Sequence, residues 1–230
     1  FTLTDDSIYE GNETITFSAF DITGDSKYTS ATPTKDFTIT ENESAPTVTL
    51  TTSATSIAEN AGSSLTLTAT LSVATTADVT VALSTSGTAT EGTDYSDGSG
   101  VVDDITISAG STTGTVSFTP TDDSVYEGDE TATIAVSGVS GGSATESGTQ
   151  TVTITIAENE SAPTVTLTTS ATSIAENAGS SLTLTATLSV ATTADVTVTI
   201  GTAGTATEGT DYTDGSGNLN DITISAGSTT

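Results

Sequence analysis

Hydrophobic and polar residues alternate along much of the chain, in short segments. Leu65, Leu67, Ala69 and Leu71 occupy every second position, with Thr between them. A period of two places these side chains on one face of a half-buried β-strand, and the β-branched residues between them suit the same structure. No stretch shows the 3.6-residue period of an amphipathic helix. The chain is therefore predicted to be all-β.

Seven such strands are predicted between residues 44 and 160, separated by turn residues such as Ala61-Gly62 and Gly141-Gly142. They are Thr47–Thr52, Ser64–Ser72, Asp78–Ser84, Asp104–Ser108, Thr113–Thr119, Thr131–Ser137 and Thr149–Ile156. Seven short alternating strands in a segment of this length are typical of an immunoglobulin-like, antiparallel β-sandwich.

The whole pattern repeats with a period of 117 residues. Residues 41–113 recur at 158–230 with eight substitutions, and residues 1–40 recur more loosely at 118–157. This period is too long for a solenoid unit and normal for a domain. The sequence therefore predicts tandem sandwiches whose terminal units are truncated: the C-terminal part of one unit at 1–43, a complete unit at 44–160, and the N-terminal part of a third unit at 161–230. The chain begins at Phe1 in mid-pattern, and we expect it to be a piece of a longer protein.

The charge balance excludes several classes of function. The chain has 30 acids against 2 bases, no His and no Cys, with a formal net charge of −28. So few bases cannot neutralise phosphates, so nucleic acid is excluded as a partner, and an anionic membrane would repel the chain. No apolar run is long enough to insert into a membrane. Without His or Cys, a usual zinc site and Ser-His-Asp catalysis are excluded, and we expect no enzyme activity.

The acids of the complete unit are predicted to lie mostly at one end of the sandwich. Successive antiparallel strands place alternate loops at the same end, and 13 of the 15 acids then fall together, leaving only Asp78 and Glu146 at the other end. The densest run is Asp122–Glu130, called here the acidic loop, whose counterpart is Asp5–Glu13. Carboxylates this close repel one another unless water and salt screen them or a cation binds.

Clustered carboxylates are the ligands that hard divalent cations prefer. Ca²⁺ accepts six to eight oxygen ligands in flexible geometry, whereas Mg²⁺ prefers a tight octahedron and keeps its waters. The alternative is a solvated acidic surface that serves solubility. The concentration of acids at one end favours cation binding, with Ca²⁺ as the expected ion.

Three motifs follow one another in the complete unit: Gly87–Tyr95, Ile105–Gly110 and the acidic loop. In order and spacing they resemble the Calx-β domain family, which is found in sodium/calcium exchangers, in an integrin β subunit and in large bacterial surface proteins. The resemblance covers essentially all of every unit. It implies a β-sandwich that binds calcium.

The resemblance also implies which residues are calcium ligands. In the complete unit they are Glu59, Asp94, Asp122, Asp123 and Glu127, with Glu130 nearby and Glu158 and Glu160 after the last strand. The matching acids of the partial units are Asp5, Asp6, Glu10, Glu13, Glu41, Glu43, Glu176 and Asp211. Ser124 replaces the third of three consecutive Asp residues in sensor members, and Glu158–Glu160 reads Glu-Asn-Glu instead of an Asp run. We therefore expect fewer or weaker ions per site.

The expected function is that of a calcium-binding repeat in a long extracellular or cell-surface protein, a bacterial adhesin stalk. Calcium would stiffen the junctions between neighbouring repeats, so that a rod projects an adhesion domain whose target the sequence does not reveal. One alternative is a cadherin-like adhesion array, since Ser56–Asn60 faintly resembles a cadherin opening, although the other cadherin acid motifs are missing. The other alternative is a calcium-sensing module of a membrane transporter, against which the near-identical copies weigh.

Overall fold

The predicted all-β fold is confirmed in the computed structural model, which describes residues 1–19 and 33–230. These residues form twenty β-strands and no helix, so none of the described residues belongs to a helix that could cross a membrane. The strands of the first unit are β1 (Ile8–Tyr9), β2 (Glu13–Ser18) and β3 (Thr34–Ile39).

The middle unit contains twelve of these strands. They are β4 (Thr47–Thr52), β5 (Ser56–Ala58), β6 (Leu65–Leu71), β7 (Ala74–Thr75), β8 (Val79–Gly87), β9 (Tyr95–Ser96), β10 (Ile105–Ile107), β11 (Thr113–Pro120), β12 (Val125–Tyr126), β13 (Glu130–Ser140), β14 (Thr145–Glu146) and β15 (Thr151–Ala157). The third unit contains β16 (Val165–Thr169), β17 (Leu184–Leu188), β18 (Ala191–Thr192), β19 (Val196–Val198) and β20 (Ile222–Ile224).

The middle unit is a sandwich of two five-stranded sheets. One sheet has the order β10-β8-β13-β15-β5, and the other has the order β14-β4-β6-β11-β9. The seven predicted strands correspond to β4, β6, β8, β10, β11, β13 and β15, and β4 has the predicted bounds. The others differ by one to three residues at one or both ends, and β8 and β13 extend furthest because their mutual pairing continues into residues that do not alternate.

The main difference from the prediction lies in short strands that the alternation does not reveal. Four of them have two residues, too few to show a period of two, and β5 buries a single side chain, Ile57. Two of them, β5 and β14, pair in parallel with β15 and β4, so the sandwich is not purely antiparallel. After β4 the chain crosses to the other sheet to form β5, whose Ile57 is only 8% exposed. This crossing matters for function because Glu59 follows β5 directly.

The core fills the space between the two sheets with the alternating apolar residues. Val48, Leu67, Ile134 and Ile154 are fully buried. Burying a side chain of this size contributes about 1.5–3 kcal/mol. These residues hold the strand ends, and therefore the loops, in fixed relative positions.

A second packing feature anchors the segment that carries Asp94. Tyr95 is 1% exposed and stacks on Phe118 with ring centroids 4.7 Å apart. Gly87 has a φ of +132°, and a Cβ at this position would lie 2.0 Å from the carbonyl oxygen of Thr131. Only glycine fits such a close backbone approach. The Gly87–Tyr95 segment is therefore fixed at both ends.

The terminal units are packed less completely. In the first unit β2 pairs with β3, and Phe1 packs edge-on against Phe17 and Phe37. In the third unit Leu184 is 38% exposed, whereas its counterpart Leu67 is fully buried by the complete sandwich. Consecutive units also touch: β1 pairs with β7, and β12 pairs with β18.

Candidate metal centre

Six of the predicted ligands of the middle unit come together in two groups of three. The first group is Glu59, Glu158 and Glu160, called here the tail cluster. The second group is Asp94, Glu127 and Glu130, called here the loop cluster. Within each group, the chosen carboxylate oxygens all lie within 4.8 Å of one another. A cation can therefore contact all three side chains of either group.

The tail cluster is a consequence of the parallel pairing of β5 with β15. Ala58 pairs with Ala157, and because the strands run in the same direction the next residues, Glu59 and Glu158, also lie side by side. The N–H of Glu59 donates to the carbonyl of Ala157 at 2.9 Å, which fixes this register. Glu160 follows two residues later, and its carboxylate lies beside those of Glu59 and Glu158.

The loop cluster is built from the turn before Tyr95 and from the end of the acidic loop. Asp94 is held by its own turn, since its Oδ2 accepts the N–H of Thr90 at 2.6 Å. The carbonyl of Asp94 also accepts the N–H of Thr121 at 2.9 Å, which ties the turn to the end of β11. Glu130 opens β13, and its carboxyl group lies close to that of Asp94.

Glu158 connects the two clusters through the acidic loop. Its Oε2 accepts the N–H groups of Glu127 at 2.6 Å and Gly128 at 2.8 Å, and its Oε1 accepts those of Asn159 and Glu160 at 2.9 Å. Burial alone would raise the pKa of Glu158, but these main-chain donors outweigh it and lower the pKa to about 2. Glu158 is thus fixed as a carboxylate.

Three other carboxyl groups in the clusters have a pKa that is shifted in the opposite direction, upward. Burial, and then repulsion from the neighbouring acids, raises the pKa of Glu59 to about 7. Burial and the charge of Asp94 raise the pKa of Glu130 to about 7 in the same way. The pKa of Glu127 is also raised, first by burial and then by Asp94. Such groups need a proton or a cation to offset their charge.

One atom of the tail cluster lacks any partner. Glu160 Oε2 is buried and makes no hydrogen bond to any of residues 1–19 and 33–230. A buried oxygen without a partner costs free energy, so native structures rarely leave one unsatisfied. The donor set around it consists of carboxylate oxygens, which suits Ca²⁺ and does not suit zinc. The residues present therefore fit a calcium ion.

The predicted ligands Asp122 and Asp123 lie beside the clusters rather than in either group of three. The N–H of Asp123 donates to Glu59 Oε1 at 3.4 Å, and its Oδ1 accepts the N–H of Val125 at 2.7 Å. The pKa of Glu160 is raised mainly by its hydrogen bond with Glu158, and the charge of Asp122 adds a smaller part.

The partial units repeat parts of this arrangement. In the first unit, a cavity of about 50 Å³ is lined by all six predicted acids: Asp5, Asp6, Glu10, Glu13, Glu41 and Glu43. In the third unit, Asp211 Oδ2 accepts the N–H of Thr207 at 2.7 Å, as Asp94 does with Thr90. Glu176 and Asp211 both line a wide groove, where Glu176 is exposed.

Sequence reasoning missed the residues that hold Glu158. Gly128, with a φ of +81°, turns its N–H toward the carboxylate, and Asp129 Oδ1 accepts the N–H of Glu158 at 3.0 Å. The first unit keeps both roles with Gly11 and Asn12. The retention of a glycine and of an oxygen acceptor at these positions of the repeat was the available signal.

Two acids between β8 and β10, Glu91 and Asp97, hold the conformation of their own loop. Asp97 Oδ1 accepts both the N–H and the hydroxyl of Ser99, at 2.7 and 2.6 Å. Glu91 accepts the N–H of Val102 at 2.6 Å and the hydroxyl of Thr85 at 2.8 Å. These acids stabilise their own loop and belong to neither cluster.

Comparison with known proteins assigns the family. The sequence profile of the Calx-beta domain matches residues 41–160 and 158–221. The chain belongs to the Calx-beta domain family. The family resemblance predicted from the three motifs is thus confirmed.

Two solved structures are similar to this Calx-beta chain. One is the apo form of the Calx CBD1 domain, at 20% identity over 50% of this chain and 99% of that chain, with a TM-score of 0.40. The other is CBD12 from CALX1.2, at 20% identity over 48% of this chain and 44% of that chain, also with a TM-score of 0.40. No curated protein sequence matches the chain. Calx-beta is a family of calcium-binding modules, and the two acidic clusters of the middle unit agree with that chemistry.

Proposed function

We propose that this chain is a non-catalytic, calcium-binding segment of a long extracellular or cell-surface protein, and that calcium stiffens the junctions between its Calx-beta units. The observation that carries the proposal is the tail cluster. It combines the partnerless buried Oε2 of Glu160 with a Glu59 whose pKa is raised to about 7. Both features remove stability in the absence of a cation, and a bound cation would offset both.

Each cluster would hold its own calcium ion in this proposal. Glu59, Glu158 and Glu160 would hold one ion, and Asp94, Glu127 and Glu130 would hold a second, with Asp122 and Asp123 beside them. Bound calcium supplies positive charge that offsets carboxylate repulsion. The ligands join the end of β15 to the end of β5 and to the acidic loop.

The position of the tail cluster supports a role at the junction. Glu158 and Glu160 belong to the short segment that follows β15, directly before the next unit begins at residue 161. Fixing these two side chains restricts the pivot between units. A repeat period of 117 residues with no insertion gives every junction the same linker, as a stiff stalk requires.

The near-identical copies favour a stalk over a calcium sensor. A stalk needs length and uniformity, and residues 41–113 and 158–230 differ at only eight positions. In the stalk proposal a distant domain makes the adhesive contact, and bacterial adhesins are the proposed setting.

Thermal unfolding tests calcium binding directly. We expect the 230-residue chain to melt at a higher temperature in calcium than in chelator. One site at a free calcium concentration of 100 times the dissociation constant adds roughly 2.7 kcal/mol, or about 10 °C for a domain of this size. Asp123→Ala should reduce the shift. Equal melting temperatures in calcium and chelator would refute calcium binding.

Small-angle scattering tests the stalk. With calcium, the chain should have a larger maximum dimension and a narrower distribution of interatomic distances than with chelator, because a free junction samples bent arrangements. A chain that is equally extended in both conditions would show that calcium does not set the junction.

A further inference from the structure

The acidic loop has a second role that cation binding does not require. Its central strand, β12, pairs in parallel with β18 of the following unit, and β1 pairs in parallel with β7 one repeat earlier. The partners are Val125 with Ala191, Tyr126 with Thr192, Ile8 with Ala74 and Tyr9 with Thr75. The two junctions therefore have the same register, although the units at either end of the chain are packed differently.

The loop side of this contact is held in place by hydrogen bonds within its own unit. The N–H of Val125 donates to Asp123 Oδ1 at 2.7 Å, and the N–H of Glu127 donates to Glu158 Oε2 at 2.6 Å. The N–H groups on either side of Tyr126 are thus occupied by carboxylates. The first unit repeats both bonds at the equivalent positions. The loop therefore presents a short extended segment of main chain in one conformation.

The receiving turn is equally well fixed. Thr75 is 2% exposed, its hydroxyl donates to the carbonyl of Ala77 at 2.6 Å, and its carbonyl accepts the N–H of Gly110 at 2.8 Å. The counterpart Thr192 makes the same two bonds, each at 2.8 Å. Small Ala residues precede both threonines and allow the two backbones to approach.

We propose that the Val125–Tyr126 edge is a docking site for the Ala191–Thr192 turn of the next unit, and that this backbone pairing sets the orientation between consecutive units. Main-chain groups at a free strand edge require partners, and here a second copy of the same repeat supplies them. Because both surfaces are pre-organised, little conformational entropy is lost when they meet. The short linker keeps the partner close, which raises its effective concentration.

This docking has a consequence that rests on the proposed function. The carboxylates of Asp123 and Glu158 hold the two sides of the docking edge, and both lie in or beside the candidate ion sites. Calcium that orders these side chains would also order the edge. By reciprocal linkage, a docked neighbour would strengthen calcium binding in the preceding unit.

Disulfide trapping tests the register, since the chain has no native Cys. Adjacent strands lie about 4.8 Å apart, within the Cα separation that a disulfide spans. The variant Val125→Cys with Ala191→Cys should form an intramolecular disulfide at least about ten times faster than Val125→Cys with Ala194→Cys, whose second position lies beyond the end of β18 and is not paired with Val125. Ile8→Cys with Ala74→Cys should behave like the first pair.

The products are measured by mass spectrometry and by non-reducing gels, in calcium and in chelator. Equal rates for the in-register and shifted pairs, or disulfides only between molecules, would overturn the docking proposal. If the Val125 variants do not fold, the Ile8 pair and its own shifted control, Ile8→Cys with Ala77→Cys, decide the matter. Rapid trapping without calcium binding would leave the docking edge intact and overturn only the proposed function. Calcium binding without trapping would overturn the docking proposal and leave the proposed calcium binding intact.

Discussion

The carboxylate of Glu158 accepts the main-chain N–H of Glu127 at 2.6 Å, and this bond joins the end of the last strand to the acidic loop. The glutamate belongs to the tail cluster and the loop residue to the loop cluster. The two candidate ion sites therefore share one hydrogen-bonded element. A change at Glu158 should affect both the stability of the unit and its response to calcium.

The first prediction concerns Glu158→Gln in chelator at pH 7.5. The substitution keeps the shape of the side chain and removes its charge, so the main-chain donors lose a charged acceptor. Hydrogen bonds to charged groups contribute about 1.5–3 kcal/mol, and we expect a loss of this size in the free energy of unfolding. Chemical denaturation measures it. Glu176→Gln, an exposed position of the same charge, is the control, and equal losses in both variants would contradict the account.

The second prediction concerns Glu59→Gln, which we expect to raise the stability of the chain in chelator rather than lower it. Burial raises the pKa of Glu59 to about 7, so at pH 8 most molecules without calcium carry an unfavourable buried charge. Gln removes that charge, and the variant should melt at a higher temperature than the native chain in chelator. It should also lose most of the stabilisation by calcium. A variant that melts lower in chelator, or that keeps the full calcium shift, would show that the carboxylate has neither role.

The third prediction is a pH dependence of stability in chelator. The pKa of Glu59 and of Glu130 is about 7 in the folded chain against 4.5 in the unfolded chain, so between these values the folded state binds more protons. The free energy of unfolding should therefore fall as pH rises from about 5 to 7.5. For Glu59 alone the loss has an upper limit of roughly 3 kcal/mol.

Below this window the sign reverses because of Glu158. Its pKa is about 2 in the folded chain, so its contribution is complete above 4.5 and is lost as pH falls from 4.5 towards 2. Stability in chelator should thus pass through a maximum near pH 5. Melting curves from pH 3 to pH 8 measure it, and a stability that rises steadily from pH 5 to pH 8 would refute the assigned directions.

The fourth prediction concerns Gly87→Ala and the close backbone approach that fixes the Gly87–Tyr95 segment. Gly87→Ala places a Cβ 2.0 Å from the carbonyl oxygen of Thr131 at a φ of +132°, so we expect a loss of more than about 3 kcal/mol. Gly98→Ala is the matched control, because Gly98 has a φ of +101° and open space around its Cβ position. It should cost only about 1–2 kcal/mol of backbone strain. Similar losses in the two variants would mean that the close approach does not matter.

The period-two pattern predicted seven strands because each of them buries one face. It did not predict β5, since Ser56–Ala58 buries only Ile57 and is defined by its parallel pairing with β15. Yet that pairing brings Glu59 beside Glu158. The sequence therefore predicted which acids share an end of the sandwich, but not that they divide into two groups.

The hydrogen bonds that fix the Glu158 carboxylate could not be predicted from the sequence for a related reason. Its donors are main-chain N–H groups, which every residue other than proline carries, and only the loop conformation aims two of them at one oxygen. The pairing of β12 with β18 is likewise a backbone contact between separate units. Side-chain patterns cannot reveal contacts that side chains do not make.

A calorimetric calcium titration at pH 7.5 tests the central claim most directly. The comparison is between the native 230-residue chain, a variant with Glu59→Gln and Glu127→Gln, and a control with Asp78→Asn and Glu146→Gln, which removes the same charge from the other predicted end of the sandwich. We predict saturable binding by the native chain and by the control, and a lower number of bound ions in the cluster variant. No saturable binding by the native chain up to about 10 mM calcium, or the same number of ions in all three proteins, would contradict the assignment of these clusters as calcium sites.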